Sequence, residues 1–441
     1  MIFDWLYLWV LLAATIIHYC TPVKHRTTLL ITLSLGLIFY WSPESLLALL
    51  FTTVITFLLK QYGSKGMKAF GIILLASSIL AIKTQLPWAG TSSPQTLLLI
   101  GYSYFTLQNI SVLASTTQIG WSQLLLTNAF FPKFIAGPIA EPYKLTATKD
   151  LHPEQMIAGI KRILYGLVKK FVLADRLSIF VNNLFDAPPD QSSLFSLFFA
   201  SMLFTFQMYL DFSAYSDLAI GGGKLLGYQI PENFDLPFRA KSIAQYWRKT
   251  HMTLIKWLTT HLYYPIQYQL RDRLITGTLL AIFITFTLSG LWHGLAIGFL
   301  IWGILNALYL MVEFVAKKKL GIQGGWWSWP LTLLLIILSN FFFRIKDWST
   351  FTNTIEKTTL LFPKDWTVDF WAILADGGHL LQQYNILESF LLFALFFAAE
   401  PFWERTVKSA RTSITFFVTI LFVLIFFGYF HLGEEFIYVQ F

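Results

Sequence analysis

The sequence has few charged residues and almost no cysteine. Only 13% of its 441 residues are Asp, Glu, Lys or Arg, against roughly 25% in ordinary globular proteins. Because 56% of the residues are hydrophobic, a water-soluble enzyme and a disordered chain are both excluded. The single cysteine, Cys20, excludes an internal disulfide and a thiolate metal cluster. The composition therefore indicates a polytopic membrane protein.

The sequence also lacks the short motifs of common soluble catalysts. It contains no H-E-x-x-H metal spacing, no G-x-S-x-G nucleophile elbow and no Walker-type phosphate loop. No metal site is therefore predicted. The net charge of +8 would favour nucleic acid in a soluble protein, but the excess of basic residues in cytoplasmic loops explains it more simply here. Membrane lipid, and not nucleic acid, is the expected partner.

Eleven apolar runs separated by charged residues are candidate membrane spans of an all-α protein. They cover residues 2–20, 27–41, 44–59, 68–82, 95–113, 193–212, 274–292, 294–312, 327–343, 387–400 and 412–430. The first run lacks a basic start and a small-residue cleavage site, so we predict a retained span. With no repeat or long linker, the prediction is one transmembrane domain over residues 1–441.

Basic residues cluster in alternating loops, which predicts an outside N-terminus and cytoplasmic basic clusters. Two loops predicted to lie on the opposite side of the membrane, 41–45 and 186–193, contain no Lys or Arg. The clusters predicted to be cytoplasmic are Lys24 with Arg26, Lys60 with Lys65 and Lys68, Lys161–Arg176, Arg239–Lys256, Lys317–Lys319 and Arg405–Arg411.

Two segments do not read as straight spans. Residues 128–144 are apolar but broken by Pro132, Gly137 and Pro138, which favours a re-entrant or interfacial segment covered by protein. Residues 224–256 mix basic and aromatic side chains. This mixture predicts short interfacial helices, with aromatic residues inward and charges toward headgroups or an anionic ligand.

Two histidines are candidates for chemistry. His293 lies within residues 274–312, a run without Asp, Glu, Lys or Arg, and an ionisable group in such a run is a functional candidate by default. The alternative is a wet hairpin tip with no chemical role. His251 lies among basic and aromatic residues, and its alternative role is a plain interfacial histidine.

Polar residues at 209–217 form a further candidate group. Asp211 and Asp217 lie near the end of an apolar run, with Tyr209 and Tyr215 beside them. Two interpretations are open: the carboxylates line a polar cavity, or they are hydrogen-bonded helix-end residues, which is slightly favoured.

Taken together, these segments resemble the membrane-bound O-acyltransferase family, most closely its alginate O-acetylase and peptidoglycan O-acetyltransferase branch. The resemblance is strongest over residues 125–310. The matching pieces are Phe130–Pro132 with Ala136–Ile139, Gly166–Lys170 with Ala174–Asp175, Asp211–Asp217 with Pro231–Phe234, Tyr246–His251, Ser289–Gly294 with Trp302–Gly303, and the terminal Phe436–Phe441.

The resemblance implies a fold with about 11 transmembrane helices, re-entrant and interfacial helices, and a central tunnel. It assigns His293 as the catalytic residue and His251 as a second, supporting histidine. The reaction would be O-acetyl transfer from cytoplasmic acetyl-CoA, with no bound cofactor, to an extracytoplasmic partner acetyltransferase that modifies a polysaccharide. The location would be the bacterial cytoplasmic membrane. The alternatives are D-alanyl transfer to teichoic acid from a carrier protein, or a transporter without transferase activity.

Nine residues are expected to contact substrate: Tyr209, Asp211, Tyr215, Asn233, Arg239, Trp247, Arg248, Lys249 and Trp292. The basic members would hold the donor's phosphates, or they would only anchor the chain to anionic lipid. Three positions depart from the family pattern: Thr250 before His251, Thr259–His261, and Asn306 with Ala307. They affect the expected donor site and leave His293 unchanged.

Overall fold

A computed structural model describes residues 5–83, 99–140, 145, 152–186, 194–319, 321, 324–345, 348–349, 351–352, 386–409, 414–428 and 430. This part of the chain forms helices and no strand. The helices are α1 Trp5–Cys20, α2 Val23–Trp41, α3 Pro43–Tyr62, α4 Lys65–Lys83, α5 Tyr102–Ala114, α6 Trp121–Ala129, α7 Pro153–Leu167, α8 Asp175–Asp186, α9 Leu194–Leu225, α10 Ile243–Lys249, α11 Met252–Leu258, α12 Tyr264–Gln269, α13 Leu274–His293, α14 Ile297–Lys319, α15 Ser328–Phe343, α16 Ile386–Lys408 and α17 Ile414–Phe427.

Each predicted apolar run overlaps one of these helices. Among the described residues, five helices are long and apolar enough to cross a membrane: Pro43–Tyr62, Lys65–Lys83, Phe195–Leu225, Arg271–His293 and Ile297–Lys319. Three shorter apolar helices are Leu6–Cys20, Ser328–Phe343 and Ile414–Phe427. The all-helical prediction is confirmed for the described residues, whereas eleven crossings, one domain over 1–441 and a tunnel stay predictions. Residues 187–193 and the terminal stretch 436–441 lie outside the described residues.

Helix α9 is the central element, and glycines bring α7 close against it. A Cβ atom on Gly221 would lie 2.7 Å from the carbonyl oxygen of Gly159, and a Cβ atom on Gly166 would lie 2.9 Å from that of Ala214. Any larger side chain would therefore push the two helices apart. Gly221 and Gly166 thus permit the close packing of α7 against α9.

The segment after α6 is buried and irregular, as predicted. The chain passes from α6 through a single 3₁₀ turn at Phe131–Lys133 into non-helical backbone that continues to Ala140. Protein covers it, because residues 130–140 are all buried. This burial satisfies the condition under which irregular backbone is tolerated at membrane depth. Residues 141–144 of the predicted segment lie outside the described part.

The segment 224–256 folds into short helices, also as predicted. After α9 come a 3₁₀ turn at Pro237–Arg239 and the seven-residue helices α10 and α11. Tyr246 and Trp247 are buried, while Arg248 on the same helix is exposed. The aromatic residues therefore point inward and the cation outward, which is the expected arrangement for an interfacial helix.

The basic cluster 161–176 is not a loop, and this prediction was wrong. It lies in α7, a π-helical segment at Val168–Ala174 and the start of α8. Two of its cations are buried against an aspartate that is distant in sequence: Arg162 Nε lies 2.5 Å from Asp217 Oδ1, and Lys169 Nζ lies 2.9 Å from Asp217 Oδ2. Charges paired inside the protein report nothing about the cytoplasmic side. Arg162, Lys169, Asp217, Glu232 and Glu404 are referred to below as the buried charge cluster.

Candidate active site

The two candidate histidines line one narrow cavity of about 30 Å³, which is room for about one water molecule. Helices α9, α10, α11, α13, α14 and α15 all contribute to its wall. The lining residues are Thr205, Met208, Tyr209, Phe212, Phe234, Tyr246, Trp247, Thr250, His251, Leu254, Ile255, Ser289, His293, Trp302, Asn340 and Phe343. None of them is Asp, Glu, Lys or Arg, so the wall is aromatic and uncharged apart from the imidazoles.

His293 is the last residue of α13, and its side chain faces the interior. The residue is 3% exposed, so the alternative of a wet hairpin tip is wrong. Its ring lies edge-on to Trp302 and Phe343, with centroids 5.3 Å and 5.0 Å away. These contacts hold the imidazole in an enclosure from which bulk water is excluded.

His251 precedes α11 and is also buried, with 3% exposure, so it is not a plain interfacial histidine. Its backbone has φ +45°, a left-handed conformation that costs a non-glycine residue roughly 1–3 kcal/mol. Asn233 stabilises this turn, because its carbonyl oxygen accepts from Met252 N at 2.9 Å. The ring of Phe212 packs edge-on against the imidazole at 4.7 Å.

Asn233 also determines which nitrogen of His251 carries the proton. The Asn233 Oδ1 atom accepts from Thr253 N at 3.2 Å and lies 3.3 Å from His251 Nδ1. A backbone N–H can only donate, so the Asn233 atom must be the oxygen, and an amide oxygen only accepts. In the neutral imidazole the proton is therefore on Nδ1, which leaves Nε2 as the basic nitrogen.

Three more of the predicted residues lie in or beside the wall of this cavity. Tyr209 lines it and donates its hydroxyl to Glu400 Oε1 at 2.5 Å. Trp247 lines it and donates Nε1 to Asn306 Oδ1 at 3.2 Å, so Asn306, one of the departures from the family pattern, supports the wall. Trp292 lies outside the lining, but its ring centroid is 4.8 Å from that of His293.

Asp211 and Tyr215 lie away from the cavity lining. Asp211 Oδ1 is 2.8 Å from Lys170 Nζ, and the Tyr215 hydroxyl accepts from Ala136 N at 3.0 Å. The helix-end interpretation of the two aspartates was wrong, because α9 continues to Leu225 and buries both Asp211 and Asp217. Substrate contact by Asp211 and Tyr215 stays a prediction without geometric support.

The three predicted basic residues lie at the surface. Arg239 and Arg248 are exposed, and Lys249 is partly exposed with its Nζ 2.8 Å from Asp235 Oδ2. None of the three lines the cavity or the wide pocket described next. A role for them in donor binding stays a prediction.

A second, wider pocket of about 690 Å³ lies on the other face of α11. Thr253, Lys256 and Trp257 of this helix face the wide pocket, whereas Leu254 and Ile255 face the histidine cavity. Helix α11 therefore separates the two spaces. His261 also lines the wide pocket, and its Nε2 lies 3.2 Å from Ser111 Oγ.

Several residues of this site were not predicted from the sequence. Asn340 accepts from Trp302 Nε1 at 3.1 Å, and a polar residue inside the apolar run 327–343 was the signal for it. Lys83 donates Nζ to the carbonyl oxygen of His293 at 3.0 Å. The sequence did contain an indication of it. Lys83 lies at the end of α4 opposite Lys65 and Lys68, on the side where the loop charges predict few basic residues.

Two buried imidazoles at one enclosed cavity are groups that can support acid–base or nucleophilic chemistry. Within the described residues, no group of three or more His, Cys, Asp or Glu side chains could hold a metal ion. In the described residues, apolar helices long enough to cross a membrane enclose these two histidines, as expected of a membrane-embedded protein.

The chain belongs to the membrane-bound O-acyltransferase family, whose family model matches residues 24–318. It is therefore an acyltransferase. It is similar to a Pseudomonas fluorescens protein named "Probable alginate O-acetylase AlgI", with 28% identity over 75% of this chain and 70% of that protein. It is 31% identical to the peptidoglycan O-acetyltransferase of Helicobacter pylori over 50% of this chain and 43% of that protein. A teichoic acid D-alanyltransferase of Bacillus subtilis is 26% identical over 69% of this chain and 85% of that protein.

Proposed function

We propose that this protein takes acetyl groups from cytoplasmic acetyl-CoA and passes them across the membrane for O-acetylation of an extracytoplasmic polysaccharide. His293 is the catalytic residue in this proposal and His251 its supporting partner. The observation that carries it is that both histidines line one narrow, uncharged cavity. The names of two relatives, an alginate O-acetylase and a peptidoglycan O-acetyltransferase, support the acetyl group and the polysaccharide.

The chemistry needs a base that is neutral in a dry site. An imidazole removes the proton of an acceptor hydroxyl, the hydroxyl oxygen attacks the thioester carbonyl, the C–S bond breaks, and the sulfur takes the proton. Such positioned acid–base catalysis contributes about 10²- to 10⁴-fold in rate. Alternatively the His293 imidazole attacks the thioester carbonyl, the C–S bond breaks, and the sulfur takes the imidazole proton. The acetyl group then stays on His293 until an acceptor hydroxyl attacks it, and the proton of that hydroxyl returns to the imidazole. In both cases the aromatic wall limits hydrolysis by excluding water.

The wide pocket is the proposed entrance for the donor. Its wall includes Ser115, whose carbonyl oxygen accepts from Lys60 Nζ at 2.5 Å. It therefore lies at the end of α3 and α4 that carries Lys60, Lys65 and Lys68, the side that loop charge predicts to be cytoplasmic. Opening α11, which separates the two spaces, would let the thioester reach the histidines.

The proposed partners follow from the location of donor and acceptor on opposite sides of the membrane. Acetyl-CoA is cytoplasmic, whereas cell-wall and exopolysaccharide acceptors are outside, so the acetyl group must cross the membrane. We propose that an extracytoplasmic acetyltransferase receives it and completes the modification. The chain is proposed to be a multi-pass protein of the bacterial cytoplasmic membrane, embedded in lipid.

D-alanyl transfer to teichoic acid is the second candidate function. The Bacillus subtilis relative favours it, since the alignment covers 85% of that protein. The donor would then be a carrier-protein thioester and not acetyl-CoA, while the histidine chemistry would stay the same.

The test uses purified protein in liposomes with radiolabelled acetyl-CoA. His293→Ala should lower acetyl-CoA consumption by at least about 10²-fold, whereas His25→Ala, an exposed histidine, should leave it unchanged. Label retained on the wild-type protein would favour the acyl-histidine route. Equal consumption by wild type and His293→Ala would refute the catalytic role. No consumption by wild type, but turnover of a D-alanyl carrier thioester, would support the second candidate; transport without acyl transfer would refute both.

A further inference from the structure

Lys83 is a buried lysine that contacts the backbone of the proposed catalytic histidine. It ends α4, is 4% exposed, and donates Nζ to the carbonyl oxygen of His293 at 3.0 Å. Within the part of the chain that the structure describes, Nζ makes this hydrogen bond and no ion pair. The cations of the buried charge cluster, by contrast, lie against carboxylates.

The location of Lys83 is unusual for a lysine. Helix α4 begins at Lys65, and a 19-residue helix is about 28 Å long. Lys83 therefore lies about 27 Å along the helix from Lys65, close to the thickness of the bilayer core. A lysine near the end of a span normally extends its ammonium group to the interface, whereas Lys83 is buried inside the protein, and this burial makes it a candidate for function.

The contact has a direct physical consequence for α13. The carbonyl groups of the last helical turn have no partners within their own helix, and a cation near them is favourable because the C-terminal end carries partial negative charge. His293 is the last residue of α13, and the next residue, Gly294, leaves the helix with φ 169° and ψ 169°. The ammonium group thus holds the carbonyl oxygen of the very residue whose imidazole faces the cavity.

We propose that Lys83 is a positioning residue that fixes the end of α13 and thereby the place of the His293 imidazole. It acts through the main chain of His293 and touches no reacting atom. Because a displacement of about 1 Å can cost up to about 10²-fold in rate, losing this contact lowers the rate constant of the chemical step. The inference rests on the proposed function of His293.

The test compares kcat and KM for acetyl-CoA consumption in liposomes for wild type, Lys83→Met and Lys83→Arg. Lys83→Met, which is similar in length but uncharged, should lower kcat by about tenfold or more with little change in KM. Lys83→Arg keeps the cation and should recover part of the loss. Recovery by charge distinguishes positioning from a general loss of packing.

The matched control is Lys161→Met. Lys161 is also buried, and it donates Nζ to the carbonyl oxygen of Ser409, which follows the C-terminal end of α16. It lines neither the cavity nor the wide pocket. The Lys161→Met substitution should therefore lower the thermal unfolding temperature in detergent without lowering the kcat of the folded protein.

Each outcome separates this inference from the proposed function. If His293→Ala abolishes turnover but Lys83→Met keeps the wild-type kcat, the inference alone fails. If Lys83→Met raises KM at constant kcat, the lysine binds a substrate anion and the inference also fails. Turnover that survives His293→Ala overturns the proposed function itself. If Lys83→Met does not fold, Lys83→Gln replaces it, and a wild-type kcat there overturns the inference.

Discussion

The histidine cavity and the buried charge cluster share α9 but differ in charge: the wall of the cavity is uncharged, whereas the cluster consists of paired charges. Thr205, Tyr209 and Phe212, spaced by four and three residues on one helix face, line the uncharged cavity. Asp217, outside that face, lies within 2.9 Å of two cations. In the cluster, buried charges are tolerated because they are paired. In the cavity, the imidazoles face apolar walls in which carboxylates are absent.

The difference indicates which region serves stability and which serves chemistry. An ion-pair cluster that joins α7, α9 and α16 fixes helices against each other, and its removal should affect folding. An uncharged cavity with two histidines contributes less to folding, and its alteration should affect turnover. Tyr209 connects the two regions, because it lines the cavity and its ring centroid lies 5.8 Å from Lys169 Nζ of the cluster.

The largest expected effect is on stability, from Arg162→Met in the buried charge cluster. Arg162 lies 2.5 Å from Asp217 and 2.6 Å from Glu232, and its loss would leave the buried Asp217 carboxylate paired with Lys169. Breaking a buried pair on one side costs about 3–5 kcal/mol. We expect a large fall in the thermal unfolding temperature in detergent and in the folded yield.

The control for this prediction is Arg273→Met, which removes an exposed arginine and should change stability by less than about 0.5 kcal/mol. The kcat of whatever Arg162→Met protein folds should equal that of wild type. A stable Arg162→Met protein with low kcat would contradict the separation of the two regions.

The sequence predicted the cavity better than the charge cluster, for a physical reason. His293 and His251 were identifiable because one interrupts a long uncharged run and both lie in recognisable motifs. Their burial confirms the positions, while their catalytic roles stay predictions. The irregular backbone of residues 130–140 and the short helices within 224–256 were also predicted, because proline, glycine and mixed charge are local signals.

The charge cluster was misread because its partners are distant in sequence. Lys169 looks like a loop lysine until Asp217 and Glu404 are placed beside it by the packing of α7, α9 and α16. Composition and spacing do not show such pairings. Lys83 was missed for a related reason, since its partner is a backbone carbonyl 210 residues away.

A smaller effect, on turnover, is expected from Asn233→Ala. The change leaves the Nδ1 proton of His251 and the N–H of Thr253 without their shared acceptor, so the imidazole loses its orientation. Unsatisfied buried donors cost about 1–3 kcal/mol, and we expect kcat to fall about tenfold. Asn128→Ala is the control, because Asn128 is buried and hydrogen-bonds Thr53 and Asn109 outside the cavity. Equal kcat in both variants would show that Asn233 does not position His251.

The smallest effect is expected from Lys249→Gln, and it tests whether the surface cations belong to the site at all. Lys249 pairs with Asp235 at 2.8 Å in a partly exposed position, and such pairs contribute about 0–1 kcal/mol. We therefore expect little change in unfolding temperature.

If Lys249 holds a donor phosphate, KM for acetyl-CoA should rise in Lys249→Gln, and the wild-type KM should rise with salt because exposed charges are screened. Because Lys249 lines neither the cavity nor the wide pocket, we expect KM to be unchanged at both low and high salt. The contrary result would be a wild-type KM that rises with salt and a Lys249→Gln KM that does not. The functional site would then extend to the surface, and the separation between an uncharged reaction cavity and charges that serve structure would be wrong.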